Sequence, residues 1–261
     1  MMRGLYTSAS LDRRSARAKL AAMSASEMNA VLAGIEAAVR GGVLPVVVFD
    51  LDSTLFCTGE RNLRILRDFT AASGAEFSGL GAAVETLGPA DMGWNVNDAL
   101  KARGLDDAAL HGRLKRYWSE RFFTNEFVLL DEPIAGAPEF AQACRKNGAL
   151  LYYLTGRHVG GMEQGTTASL LRHGFPLLAG HAILHLKPAF EVPDHEFKKQ
   201  ALAGIAAMRG EVVATFENEP GNANLFLRTF PTARHFLLLT VHSPDAEAPD
   251  KRLIRLRSFH G

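Results

Sequence analysis

The chain has 261 residues, 47% of them apolar, and a formal charge of +1. That length supports one α/β core with an insertion, or two small domains. The near-neutral balance argues against a general nucleic-acid-binding surface, and no apolar run approaches the ~18 residues of a membrane span. The two cysteines, Cys57 and Cys144, lie far apart with no metal-ligand spacing, so no disulfide framework is expected. Cys57 reads as a small buried residue rather than a nucleophile. The N-terminus is basic and lacks a secretory apolar segment. A soluble cytoplasmic protein is the expectation.

Residues 11–41 are rich in Ala, Leu, Met and Arg. Leu20, Met23, Met28, Val31, Leu32, Ile35 and Val39 predict two amphipathic helices, the second starting at Ser24 or Ser26. Gly41-Gly42 ends it. Residues 1–42 read as a helical extension packed on the core, and a homo-oligomer contact is one role open to it. Residues 43–50 predict a strand apolar on both faces, which suits a buried parallel sheet. From 59 to 127 the pattern turns helical and polar, with Gly-rich interruptions. Its clearest helices span 62–72 and 106–123, and Asp106 and Asp107 suit the start of the latter.

Strands and helices then alternate. Helices are expected at 138–147, 162–173, 194–208 and 219–229. Strands are expected at 149–155, 182–186, 211–216 and 235–241. This period implies right-handed crossovers and a parallel sheet with helices on both faces. The tail from Leu253 to Phe259 could add an edge strand. The fold class is therefore α/β, a Rossmann-like three-layer α/β/α core with a helical insertion and an N-terminal helical extension. Residues 43–58 and 128–261 form the core, and 59–127 the insertion.

The chemistry begins at Val46-Val-Val-Phe-Asp50-Leu-Asp52-Ser-Thr54. On a strand, the i, i+2 spacing points both aspartates to one face. Open α/β sheets bind ligands outside the carboxyl ends of their strands. Two close carboxylates repel each other and attract a divalent cation, typically Mg²⁺. One can attack an electrophile while the other handles protons. Three further strand ends carry polar groups. Tyr152-Tyr-Leu-Thr155-Gly156-Arg157 closes one strand with a neutral donor. Lys187 follows another, while Lys198 lies in the first turn of the 194–208 helix. Thr215-Phe-Glu217-Asn218-Glu219 ends the fourth.

The first stretch resembles motif I of the haloacid dehalogenase superfamily, Asp-x-Asp-x-Thr, in its phosphatase form. Thr155-Gly156-Arg157 resembles motif II. Lys198, favoured over Lys187, resembles the motif III lysine. Glu217-Asn218 resembles motif IV in its Asp-Asp-x-Pro-x-Asn variant, with Glu and Asn in the paired-aspartate positions. The resemblance covers residues 43–58 and about 128–241.

It implies a Mg²⁺-dependent phosphohydrolase acting on a small organic phosphomonoester through an aspartyl-phosphate. Asp50 is the implied nucleophile and Asp52 the acid and base. Thr155 and Lys198 stabilise the phosphoryl oxygens. Gly156 and Arg157 contact the phosphate, as Lys187 would in place of Lys198, and Thr54 orders the loop behind Asp50. Asp50, the Asp52 carbonyl, Glu217 and Asn218 hold the metal. The 59–127 insertion resembles a helical C1-like cap. Trp94, Asn95, Asn97, Arg113, Arg116, Tyr117, Trp118 and Arg121 could read a substrate there, or simply pack and solvate the cap. Asp at position 52 argues against dehalogenase chemistry. Asn218 cannot replace a charge, so a catalytically weak binding or regulatory protein is the alternative, alongside a phosphotransferase using the same site. The implied partner is a small phosphorylated molecule, with neither nucleic acid nor membrane.

Overall fold

The computed structural model describes residues 25–177 and 180–260. The first expected N-terminal helix lies outside them. The described helices are α1 (25–40), α2 (Gly59–Ser73), α3 (Leu80–Glu85), α4 (Asp98–Lys101), α5 (Ala108–Phe122), α6 (Asn125–Val128), α7 (Ala137–Lys146), α8 (Val159–Arg172), α9 (Asp194–Ala206) and α10 (Pro220–Thr229). The strands are β1 (Pro45–Phe49), β2 (Phe56–Cys57), β3 (Glu132–Pro133), β4 (Leu150–His158), β5 (Ala182–Lys187), β6 (Glu211–Glu217), β7 (Arg234–Leu238) and β8 (Ile254–Leu256).

Six strands form one sheet in the order β5-β4-β1-β6-β7-β8, and every pair is parallel. Alternation along β1 supplies both faces of the core. Val47 and Phe49 join Met28, Val31 and Ile35 of α1 and Phe140 and Cys144 of α7 in one apolar cluster. Val46 and Val48 join Phe197, Leu202 and Ile205 of α9 and Phe226 of α10 in the other. Each such side chain contributes about 1.5–3 kcal/mol on burial. The expected three-layer α/β/α architecture is therefore the observed one, and the second N-terminal helix is part of it.

The chain leaves β1 for β4 and β5 on one side of the sheet, then returns to β6 on the other side of β1. That reversal opens a crevice at the carboxyl ends of β1 and β6, where a doubly wound sheet binds its ligand.

Some elements depart from the expectation. β4 continues three residues past Thr155, with a register shift between Thr155 and His158. β7 stops at Leu238 rather than 241. The tail does add an edge strand, β8, parallel to β7. The two-residue pair β2–β3, which the sequence reading did not foresee, clasps the chain where it leaves and re-enters the core. Cys57 is exposed, contrary to expectation. Alternation on so short a strand buries Phe56 and turns Cys57 outward.

Helices α2 to α5 carry an apolar cluster of their own, including Leu63, Leu66, Phe69, Leu100 and Leu114. Asp107 caps α5 by accepting the Leu110 N–H at 2.7 Å, as its position suggested. Among the described residues, no helix is long and apolar enough to cross a membrane.

Candidate active site

Strand register builds the centre of the site. Phe49 pairs with Phe216, and the Asp50 N–H donates to the Phe216 carbonyl at 3.0 Å. Asp50 and Glu217 therefore emerge side by side from neighbouring strands. Lys198, in the second turn of α9 rather than the expected first because the helix already begins at Asp194, donates to Asp50 Oδ1 at 2.9 Å and Glu217 Oε2 at 2.8 Å. It also lies 3.6 Å from Asp194 Oδ2, one helical turn back. All three members of the Asp50–Lys198–Glu217 group are buried.

One ammonium thus serves two buried carboxylates. Burial, and then the charge of Asp50, push the Glu217 carboxyl up to about 8, against the pull of Lys198. Burial likewise raises Asp50. The arrangement favours an added proton or a cation. Glu217 gains stability in its protonated form, so that contribution is complete below about 4.5 and is lost as pH rises through about 8. In EDTA, the melting temperature is expected to fall across that window. Added Mg²⁺ should reverse part of the fall at the alkaline end. A melting temperature indifferent to pH and to Mg²⁺ would show that the pair needs no cation.

The loop after β1 is tight. The Leu51 carbonyl accepts from the N–H groups of Thr54, Leu55 and Phe56, and Ser53 adopts a φ of 58°. Thr54 is fully buried, and its hydroxyl donates to Asn218 Oδ1 at 3.1 Å. Asn218 Nδ2 in turn donates to the Val241 carbonyl at 2.6 Å. Glu217 Oε1 accepts the N–H groups of Asn218 at 3.1 Å and Glu219 at 3.0 Å.

These contacts test the expected metal ligands. Asp50 keeps one carboxylate oxygen clear of Lys198, and Glu217 adds a second anionic oxygen donor beside it. The donor chemistry of that pair, with its surplus charge, fits a divalent cation. Asn218 adds no charge, and its Oδ1, which accepts from Thr54, has one lone pair left as a neutral donor. Among the described residues, no three His, Cys, Asp or Glu side chains come together as a metal centre.

Asp52 is placed differently from the sequence expectation. Arg157 donates to its Oδ1 through Nη2 at 2.7 Å and Nε at 3.2 Å, and Arg61 Nη2 donates to the same oxygen at 2.9 Å. Both arginines also bind Asp131: Arg157 Nη2 lies 2.7 Å from Oδ2, Arg61 Nε lies 2.8 Å from Oδ1, and Arg61 Nη2 also pairs with Oδ2. Burial opposes ionisation of Asp52, but Arg157 and then Arg61 outweigh it and hold the carboxyl well below the usual range. In this geometry Asp52 is an ionised hydrogen-bond acceptor, and a weak base for as long as both arginines hold it.

Other expected phosphate contacts are also engaged elsewhere. Arg157 is fully committed to Asp52, Asp131 and the Thr166 hydroxyl. Lys187 donates to the carbonyls of Phe190 at 3.2 Å and Val192 at 2.9 Å, so it pins the loop after β5. Thr54 orders the loop, as described, and does not line the cleft. Thr155, Gly156, Lys187 and Lys198 do line it, with Asp50, Asp52, Glu217 and Asn218.

Gly156 has a reason of its own. A Cβ there would lie 2.3 Å from Asp194 Oδ1. Asp194 accepts from Asn222 Nδ2 at 3.0 Å, while its Oδ1 is buried without a hydrogen-bond partner. Gly156→Ala must displace this carboxylate, at an expected cost of about 1–3 kcal/mol. Urea unfolding measures it, and an unchanged midpoint would show that Asp194 swings aside freely.

The sequence reading missed Arg61 and Asp131. A signal existed for the first: Arg61 shares the four-residue stripe of Ile65 and Phe69, both buried. An arginine at an apolar position of a helix face needs a buried counter-charge. Of the cap candidates, Trp94, Asn95 and Trp118 line the cleft. Arg113 pairs with Glu76, and Arg121 stacks on Tyr117.

No protein-family model and no curated protein matches this chain. Solved structures do. Protein Tyrosine Kinase A of Mycobacterium tuberculosis matches at 14% identity with a TM-score of 0.49, over 83% of this chain and 94% of that one. A hydrolase of the haloacid dehalogenase-like family from Streptococcus pneumoniae matches at 11% identity and a TM-score of 0.48, over 82% and 94%. A haloacid dehalogenase-superfamily hydrolase of subfamily IA from Geobacter sulfurreducens matches at 14% identity and 0.46, over 83% and 93%. The chain is similar to solved hydrolases of the haloacid dehalogenase superfamily, the family its motifs resemble.

Proposed function

We propose that the chain is a Mg²⁺-dependent phosphohydrolase of the haloacid dehalogenase kind, acting on a small organic phosphomonoester. One observation carries this reading. Three strand ends and one helix deliver Asp50, Thr155, Glu217 and Lys198 to a single cleft at the reversal point of the sheet.

The free carboxylate oxygen of Asp50 attacks phosphorus, and the bond from phosphorus to the ester oxygen breaks. Lys198 and the Thr155 hydroxyl are the donors for the phosphoryl oxygens. Water then attacks the aspartyl-phosphate. Its proton passes to Asp52, phosphate leaves and Asp50 is restored. The proton Asp52 takes from water in one turnover is the one it gives to the leaving oxygen in the next, and both transfers require a guanidinium to release its carboxylate. Asp50 and Glu217 would hold Mg²⁺, whose charge offsets the repulsion between carboxylate and phosphate. The helical insertion would act as a lid that excludes water and contacts the leaving group.

The test is phosphate release from a panel of small phosphomonoesters, in Mg²⁺ and in EDTA. Metal-dependent turnover supports the reading. Asn218, a neutral amide where the resembled motif has an aspartate, favours the second reading of a binding protein with weak catalysis. A folded protein with no turnover in any metal would favour that one.

A further inference from the structure

The cleft between the insertion and the sheet has a volume of 420 Å³. Its two walls differ in chemistry. The core wall carries the charged groups described above. The insertion contributes Trp94, Trp118, Phe122 and Phe123. Trp118 stacks on Phe122 at 4.5 Å and 29°, and the Phe123 ring meets it edge-on at 5.5 Å. Trp94 is 55% exposed, an unusual state for so large an apolar surface.

The polar side chains on that wall are Thr58, Asn62, Asn95 and Lys115. Asn62 Oδ1 already accepts the Trp118 indole N–H at 2.7 Å, and Asn95 Oδ1 accepts the Asn97 N–H at 3.0 Å. Both asparagines are left presenting donors, and Lys115 is an exposed cation. The wall holds no carboxylate. A polyol would set several hydroxyl donors against a wall whose side-chain acceptors are the Thr58 hydroxyl and the remaining lone pairs of two amide oxygens, and each buried one left unpaired costs about 1–3 kcal/mol. A flat ring meets the aromatic faces without that cost, and each ring pair adds about 0.5–1.5 kcal/mol beyond its buried area.

We propose that the substrate's leaving group is an aromatic ring bearing an anionic substituent that Lys115 receives, rather than a polyol. This rests on the hydrolase reading above. Benzyl phosphate, 4-carboxybenzyl phosphate and glucose 6-phosphate test it, because all three release primary alkoxides of similar reactivity. kcat/KM is expected to be about tenfold higher for benzyl phosphate than for glucose 6-phosphate, the scale of one aromatic contact. The carboxylate should add to that advantage, and Lys115→Met should remove the addition. Trp94→Ala should raise KM for both benzyl esters.

Binding of 4-carboxybenzylphosphonate, read from tryptophan fluorescence, gives a readout independent of turnover. Saturable quenching weakened by Lys115→Met supports the ligand class even where catalysis is slow. Turnover that favours glucose 6-phosphate overturns the class and leaves the hydrolase reading standing. Absence of both quenching and aryl preference overturns it outright.

Discussion

Asp131→Ala is expected to destabilise the protein by about 3–5 kcal/mol, the usual result of breaking a buried ion pair from one side. Asp131 is fully buried between Arg61 and Arg157, whose side chains are also fully buried. Removing its carboxylate leaves two guanidiniums with only Asp52 between them. Replacement of one arginine alone leaves two carboxylates on one guanidinium, an imbalance of the opposite sign, which the half-buried Asp52 can relieve towards water. The network also joins distant parts of the chain: Arg61 opens the first helix of the insertion, Asp131 lies where the chain returns to the core, and Arg157 ends a central strand. Its loss should therefore loosen the insertion along with the core. Urea unfolding followed by tryptophan fluorescence reads this well, since Trp94 and Trp118 both belong to the insertion. A loss under about 1 kcal/mol would show that water enters and solvates the arginines, as at an exposed pair.

The same network predicts an acid limit. Asp52 is held ionised in the fold, with its carboxyl below the usual value of 3.8. That contribution is complete above about 3.8 and is lost as pH falls below it. It acts in the opposite direction to the loss expected from Glu217 on the alkaline side.

Much of this architecture is legible in the sequence because it follows from period and punctuation. The apolar run into Asp50 marks a strand buried on both faces, and glycines and capping residues mark the helices around it. Asp50 and Glu217 are legible because each sits at the end of a strand, and Thr155 and Lys198 because each lies within a few residues of an element's end. What stays hidden depends on contacts between distant segments. Arg157 follows a glycine at a strand end and reads as a phosphate ligand. Only the packing of residues 61 and 131 against it reveals that it anchors Asp52. Lys187 likewise reads as a free cation until the loop behind it folds back and supplies two carbonyls. Gly156 reads as a turn, whereas its lack of a side chain makes room for Asp194.

Asp50→Asn is expected to abolish turnover, with kcat/KM reduced at least roughly a thousandfold, about 4 kcal/mol of transition-state stabilisation. An amide oxygen is a poor nucleophile, and no other carboxylate in the cleft can substitute. Glu217 is folded back onto two N–H groups of its own loop, Asp52 is held by its arginines, Asp194 is tied to Asn222 and Lys198, and Glu219 accepts the Ser243 N–H. The variant has a second expected property that a merely unfolded protein would lack. Asparagine keeps the shape and still accepts a hydrogen bond from Lys198. It removes one of two buried carboxylates that share a single ammonium. Lys198 then faces Glu217 and the more exposed Asp194 alone, and with the Asp50 charge gone Glu217 should titrate closer to its ordinary range. The variant should melt no lower than the parent in EDTA at pH 8, and its stability should respond less to Mg²⁺. Inactivity with a preserved or raised melting temperature identifies Asp50 as the nucleophile. Retained turnover would place the nucleophile elsewhere and end the aspartyl-phosphate mechanism for this chain.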